Sequence, residues 1–228
     1  MPYLAVIGDM IQSRHAQDRS DVQKKLATVL DGINHDCGPG KAFGDCLISK
    51  FTITLGDEFQ ALLRPTRAIF HILDTISWKM EPSEFRYGMG VGDISTSIDP
   101  DKSIGADGPA YWFAREAIKY IHDNDDYGVN HLAFRCGEKD LVPWLNDALA
   151  CTEFVKSKWN VTQRDVFHRL LDDHLYDEQF EQKALAARMN LKPSPLQKRL
   201  KTSGLRIYLR TRTDLGIVIE KLDGAHGN

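Results

Sequence analysis

The sequence predicts an α+β protein: a sheet domain over residues 1–155 followed by a small all-α domain over residues 156–228. Three observations predict it. Short β-branched runs alternate with helical periodicity through the first two thirds of the chain. The last third shows helical periodicity alone. Charge divides at the same place: residues 1–155 hold 15 Lys+Arg against 23 Asp+Glu, and residues 156–212 hold 13 against 6. With 42% hydrophobic and 27% charged residues, the composition excludes a disordered or fibrous chain. At 228 residues the chain can bury a real core without disulfide staples.

The elements follow in order. Residues 3–8, YLAVIG, form an apolar run that ends at Gly8-Asp9 and reads as a buried strand. A helix begins near Ser20, with Leu26, Leu30 and Ile33 on one face. Residues 47–63, LISKFTITLGDEFQALL, read as a hairpin turning at Gly56-Asp57. Pro65 opens a helix with Ile69, Leu73, Ile76 and Met80 at helical spacing. RYGMGVGD at 86–93 is a glycine-punctuated strand whose glycines suit close backbone packing. Pro109 opens the next helix, residues 128–135 read as a strand, and 140–158 as a helix. This βαββαβ order contains the split βαβ pattern of ferredoxin-like sheets. Beyond it, 161–175, 177–189 and 194–202 read as three short helices. Residues 205–222 carry mixed signals that lean to helix.

Several classes are excluded or set by simple counts. No apolar run approaches the ~18 residues of a membrane span. MPYLAVIGDM has no basic leader and reads as a strand rather than a signal peptide. The four cysteines form no CxxC and no zinc spacing, so reduced thiols in a cytoplasmic protein are expected.

Two places carry chemistry. Asp9 ends the first strand, and Asp57 sits at the hairpin tip beside Glu58. In a βαββαβ sheet these ends are neighbours, and two carboxylates held close repel unless a cation relieves them. Hard oxygen ligands suit Mg²⁺ or Mn²⁺. The turn Met10-Ile11-Gln12-Ser13-Arg14 would offer N–H groups and a guanidinium to phosphates. Each aspartate alone is equally at home in ordinary turn chemistry. The second place is Lys183–Arg212, with nine basic residues and no acid. Ala186 or Ala187, then Met189, Asn190 and the anchors Leu191, Leu196 and Leu200 fit a helix-turn-helix. Ser194-Pro195-Leu196-Gln197 reads as its second helix start, with Ser194 as N-cap. That helix would expose Gln197, Lys198, Arg199 and Lys201 to DNA. A basic three-helix module that binds protein fits the same pattern.

VIGDMIQSR, ITLGDEFQALL, RYGMGVGDI and DGPAYWFAREA occur in the order seen in class III nucleotidyl cyclases and GGDEF domains. Over nearly its whole length the chain resembles the SatD family. The resemblance implies a nucleotidyl cyclase-like domain joined to a C-terminal helix-turn-helix. It makes Asp9 and Asp57 the metal-binding carboxylates and residues 10–14 the triphosphate-cradling turn. Lys50 stands where cyclases read the purine, and Arg115 matches their phosphate-facing arginine. Tyr111 replaces the asparagine cyclases place four residues before that arginine, and Leu55 replaces the first glycine of GGDEF. The expected function is a DNA-binding regulator responsive to a purine nucleotide and metal, working as a homodimer. The alternative is a metal-dependent enzyme acting on a purine nucleoside triphosphate. A third reading is an adaptor with both sites vestigial.

Overall fold

Alternation along the first strand decides how the sheet is used. In β1 (Tyr3–Met10), Leu4, Val6 and Met10 turn to one face and Ala5 and Ile7 to the other, and all five are buried. A strand buried on both faces belongs in the middle of a sheet. The computed structural model, which describes residues 1–11, 19–54, 56–124 and 128–222, places β1 at the centre of five strands. The order is β2 (Leu47–Ile53), β3 (Glu58–Leu63), β1, β4 (Phe85–Gly92), β5 (Leu132–Cys136). β1 runs antiparallel to both β3 and β4, β2 is antiparallel to β3, and β5 joins β4 in parallel.

The protein is thus mixed α+β, with eight helices among the described residues. One face of the sheet carries α1 (Arg19–Asp36), α2 (Ile69–Met80) and α4 (Leu141–Ser157) on a continuous core that includes Leu26, Phe70 and Leu145. The other face carries α3 (Pro109–Asn124). α3 lies directly on the backbone of β4. A Cβ added to Gly90 would fall 2.2 Å from the Ala110 carbonyl oxygen, and one on Gly88 2.3 Å from that of Ala114. Glycine on the strand and alanine on the helix are what let the two backbones meet.

The remaining helices build a second core around Trp159, Phe167, Leu185, Leu196 and Tyr208. α5 (Val161–Asp172) starts with a capping box: Asn160 accepts from the Gln163 N–H, and Gln163 accepts from the Asn160 N–H. α5 ends three residues before the expected Leu175. His174 takes φ +52°, and the Leu175 N–H reaches the Leu170 carbonyl at 2.8 Å, a left-handed stop. α6 (Gln182–Arg188) also starts later than residue 177, because the Asp177 carboxylate takes the Gln179 N–H in a local turn. α7 (Pro193–Ser203) corrects the expected cap: Lys192, not Ser194, is the N-cap, and no side chain caps the helix. Pro193 and Pro195 have no N–H to satisfy and Pro193 pre-sets the helical φ, so a serine cap has little to do.

α8 (Leu205–Lys221) follows Gly204 (φ +65°) and belongs to both cores. Leu205, Tyr208 and Leu209 sit in the second core, and Leu215 and Ile219 in the first. Its Gly216 rests on the segment before α2, where a Cβ would lie 2.4 Å from the Arg67 carbonyl oxygen. Arg67 clasps Glu220 beside that contact through Nε at 2.9 Å and Nη2 at 2.6 Å.

Candidate functional sites at the end of β1, the module junction and α7

The register of β1 sets the neighbours of Asp9. Asp9 pairs across the ladder with Glu58 on β3 and with Arg86 on β4, so the three side chains share the α3 face. The Arg86 Nη1 lies 3.8 Å from Asp9 Oδ2, and the His122 Nε2 from α3 lies 3.5 Å from it. Asp9 is therefore not a carboxylate without basic neighbours. Asp57 stands one residue beyond Glu58, in the turn. Among the described residues no group of three or more His, Cys, Asp or Glu forms a metal cage. Two carboxylates suit an Mg²⁺ or Mn²⁺ that arrives with nucleotide phosphates better than a resident ion, since Mg²⁺ keeps several ligands from water and phosphate.

Of the expected phosphate turn, Gln12, Ser13 and Arg14 lie outside the described residues. Met10 is buried in the core, and the Ile11 N–H is already donated to the Glu84 carbonyl at 2.8 Å. The structure does not bring Lys50 or Arg115 to Asp9. Lys50 is on the edge strand β2, two strands or about 10 Å from β1, and its ammonium pairs with Asp101 at 2.6 Å. Arg115 sits seven residues before His122, about 10 Å along α3, and pairs with Asp107 at 3.2 Å. Tyr111 is fully buried between α3 and the sheet, packed with Ala5, Ile7 and Leu62. Burial pushes its hydroxyl up to about 12.

Sequence reasoning passed over the groups that join the two cores. Asp74 of α2 is 3% exposed and accepts from Lys156 of α4 at 2.6 Å and from the Tyr208 hydroxyl of α8 at 2.7 Å, with Tyr176 on the same oxygen. Burial alone would raise the Asp74 carboxyl, but Lys156, Arg212 and these hydrogen bonds hold it below the usual range. Arg212, with no exposed surface, bonds Thr152 through Nε at 2.8 Å and pairs with Glu153. One signal was in the sequence: His71 and Asp74 are the two ionisable residues in the largely apolar helix segment IFHILDTISW. Beside this network a cavity of about 750 Å³ opens between the sheet and α5, bounded by Asp74, Tyr87, Glu153, Lys156, Trp159 and His168.

The basic run divides once folded. Arg188 pairs with Asp173 at 3.0 Å, Arg210 lies 3.6 Å from Glu178, and Arg206 covers Phe180. With Arg212 buried, four of the nine charges serve the interior or neighbouring acids. The others cluster around α6 and α7. Ser194, Gln197, Lys198 and Lys201 recur at helical spacing on one exposed stripe of α7, opposite buried Leu196, Leu200 and Ser203. Among the described residues Lys192, Lys198 and Lys201 enter no ion pair. Arg199 is off the stripe, half-buried, with Nη1 3.4 Å from the Thr162 carbonyl of α5. The turn ahead of α7 is held by Asn190 at φ +51° and by the Leu191 N–H on the Ala186 carbonyl at 2.9 Å. Of the two candidate small residues, Ala186 is buried and Ala187 exposed.

Fold and site together define a class: an α+β sheet protein that carries a basic helical unit across a buried ionic junction. The chain belongs to the SatD family, whose family model matches residues 3–218. No curated protein and no solved structure matches it. No helix among the described residues is long and apolar enough to cross a membrane.

Proposed function

We propose that this SatD-family protein is a DNA-binding regulator in which α6, the turn at Asn190 and α7 act as a helix-turn-helix. The observation that carries it is the α7 stripe of Ser194, Gln197, Lys198 and Lys201: exposed, basic and unengaged by the acidic sheet layer. Charges that serve only solubility need not collect on one helix face behind a short turn. Lys198 and Lys201 suit phosphates, and Gln197 suits an adenine edge. Arg199 fits a supporting role on the α5 flank. The βαββαβ order, with strands β2-β3-β1-β4 all antiparallel, agrees with the ferredoxin-like plan of cyclase domains. A purine nucleotide with Mg²⁺ or Mn²⁺ near Asp9 and Asp57 is the proposed signal, with the buried junction relaying it to the helices. Lys50 and Arg115 contribute to that site only if they leave Asp101 and Asp107.

Fluorescence anisotropy of a labelled duplex at several salt concentrations tests the reading. If four of the five remaining charges meet phosphates, log affinity falls with log salt at a slope near −4, at about −0.9 per phosphate. Lys201→Ala weakens all sequences alike, and Gln197→Ala relaxes sequence preference. Absence of binding at low salt would sink the proposal. The second reading, an enzyme acting on a purine nucleoside triphosphate, is favoured by the adjacency of Asp9, Glu58 and His122. Turnover of GTP or ATP with Mn²⁺, abolished by Asp9→Asn, would promote it.

A further inference from the structure

α4 turns an apolar face to solvent. Its buried side, with Leu145, Asn146, Leu149, Thr152 and Glu153, meets the sheet and α8. At about 100° per residue, the side turned away from these holds Trp144, Ala148, Cys151, Val155 and Lys158. The outer face of a surface helix is ordinarily polar. Here Trp144 is 58% exposed, Phe154 beside the stripe is 52% exposed, and Cys151 is an exposed free thiol. Of the six exposed residues within α4, only Asp147 is charged. The stripe advances by steps of four, three, four and three residues, the seam along which two helices pack. Lys158, the C-cap, keeps helical angles (φ −89°, ψ −6°) and so stays in line with it.

We propose that this face of α4 binds a second copy of the chain, the two α4 helices packing antiparallel about a two-fold axis at Cys151. A two-fold contact requires a surface that complements itself, and this one does so in size and in charge. Ala148 and Phe154 stand three residues either side of Cys151, so the ring of one copy comes level with the small side chain of the other. Trp144 and Lys158 stand seven residues either side, so each ammonium comes level with the other copy's indole, a cation–π contact. Asp147 lies three residues, about 4.5 Å, from that level and reaches the same ammonium. Within the chain, among the described residues, neither Asp147 nor Lys158 enters an ion pair, and Lys158 rests over the Phe154 ring at 4.7 Å. One helix face is small against the roughly 800 Å² that each partner of a stable complex buries, so the pairing is reversible and depends on concentration. It uses α4 alone and is read without DNA, so its failure and that of the α7 reading are separate results.

Sedimentation equilibrium of the full-length protein tests it, over a concentration series reaching about 0.2 mM to populate an interface of this size. The mean mass is expected to rise from 25.8 kDa toward twice that value. Trp144→Glu and Phe154→Glu change side chains that are more than half exposed and outside both cores, and each is expected to hold the mass at one chain. Lys158→Glu is expected to weaken pairing about tenfold, because two symmetric pairs are lost at once, and adding Asp147→Lys to it recovers affinity. A short bis-maleimide is expected to join Cys151 to Cys151 in the wild type, read as a doubled tryptic peptide from Asp140 to Lys156, which holds no other cysteine. Cys151→Ser loses that product while its mass still doubles. A mass that stays at one chain at every concentration overturns the proposal and leaves the face to a different protein. So does a dimer that Trp144→Glu and Phe154→Glu leave at full strength, or one that the reagent joins only through other cysteines.

Discussion

His71 shows how one buried side chain makes stability depend on pH. Its ring stacks on Tyr176 at 4.8 Å, and its Nε2 is buried without a hydrogen-bond partner. Burial, and the nearby His174, push its pKa down to about 4 from 6.5. The unfolded chain therefore takes up this proton before the folded one does. The contribution of the neutral ring is whole above about pH 6.5 and is lost as the pH falls toward 4, a difference of roughly 3 kcal/mol. His71→Phe keeps a ring against Tyr176 and has no proton to gain. Urea denaturation at pH 5 and pH 7 should show a markedly flatter dependence for that variant than for wild type. Asp74 works in the other direction. It is the counter-charge for Lys156 and Arg212, so Asp74→Ala leaves two buried cations under-compensated and should cost about 3–5 kcal/mol. Its lowered carboxyl value places that stabilisation above the unfolded carboxylate range, and acid removes it.

At the scale of elements, close approach and left-handed turns make sharper predictions than propensity does. Gly90→Ala puts a Cβ into the Ala110 carbonyl, where neither backbone can yield without parting α3 from β4. Thermal unfolding should register a loss of about 1–3 kcal/mol or more. Asn190→Ala should cost about 1 kcal/mol at its positive φ, and Asn190→Gly should be tolerated. These two positions were readable in advance, because glycine at every second strand position and asparagine between two helices each have a local backbone reason. The hairpin at Gly56-Asp57 and the helices opening near Pro109 and Ser20 were legible through period and punctuation. The ends of α5, α6 and α7 were not. A left-handed His174 and a carboxylate competing for the Gln179 N–H leave no periodic trace, and Pro193 displaced the start that Ser194-Pro195 suggested. The candidate site was the least legible part. Sequence named Asp9 but not Arg86 or His122 beside it, since cross-strand and helix-to-strand neighbours depend on register. It also counted Arg212 in the basic run, although helix periodicity from Tyr208 puts it on the buried side.

For the whole molecule, the deciding element is α8. Seventeen residues at 1.5 Å each make a rod of about 25 Å. Its first half fills the core under α7, and its second half fills the core under the sheet. Two domains joined by a free linker would melt separately, whereas two cores that share a helix should melt together. Calorimetry is expected to give one transition with matching calorimetric and van't Hoff enthalpies, and two resolved transitions would contradict the shared helix. The same arrangement sets a rule for how the gene can drift. Surface loops absorb inserted residues at little cost. Between Leu209 and Leu215 no insertion is neutral. One extra residue turns the far half by about 100° and lifts Gly216 out of its seat on Arg67, while seven restore the phase but lengthen the rod by about 10 Å. Stretches of this chain that vary in length should therefore fall in its loops, and the span from Leu209 to Leu215 should keep one length wherever both cores are kept.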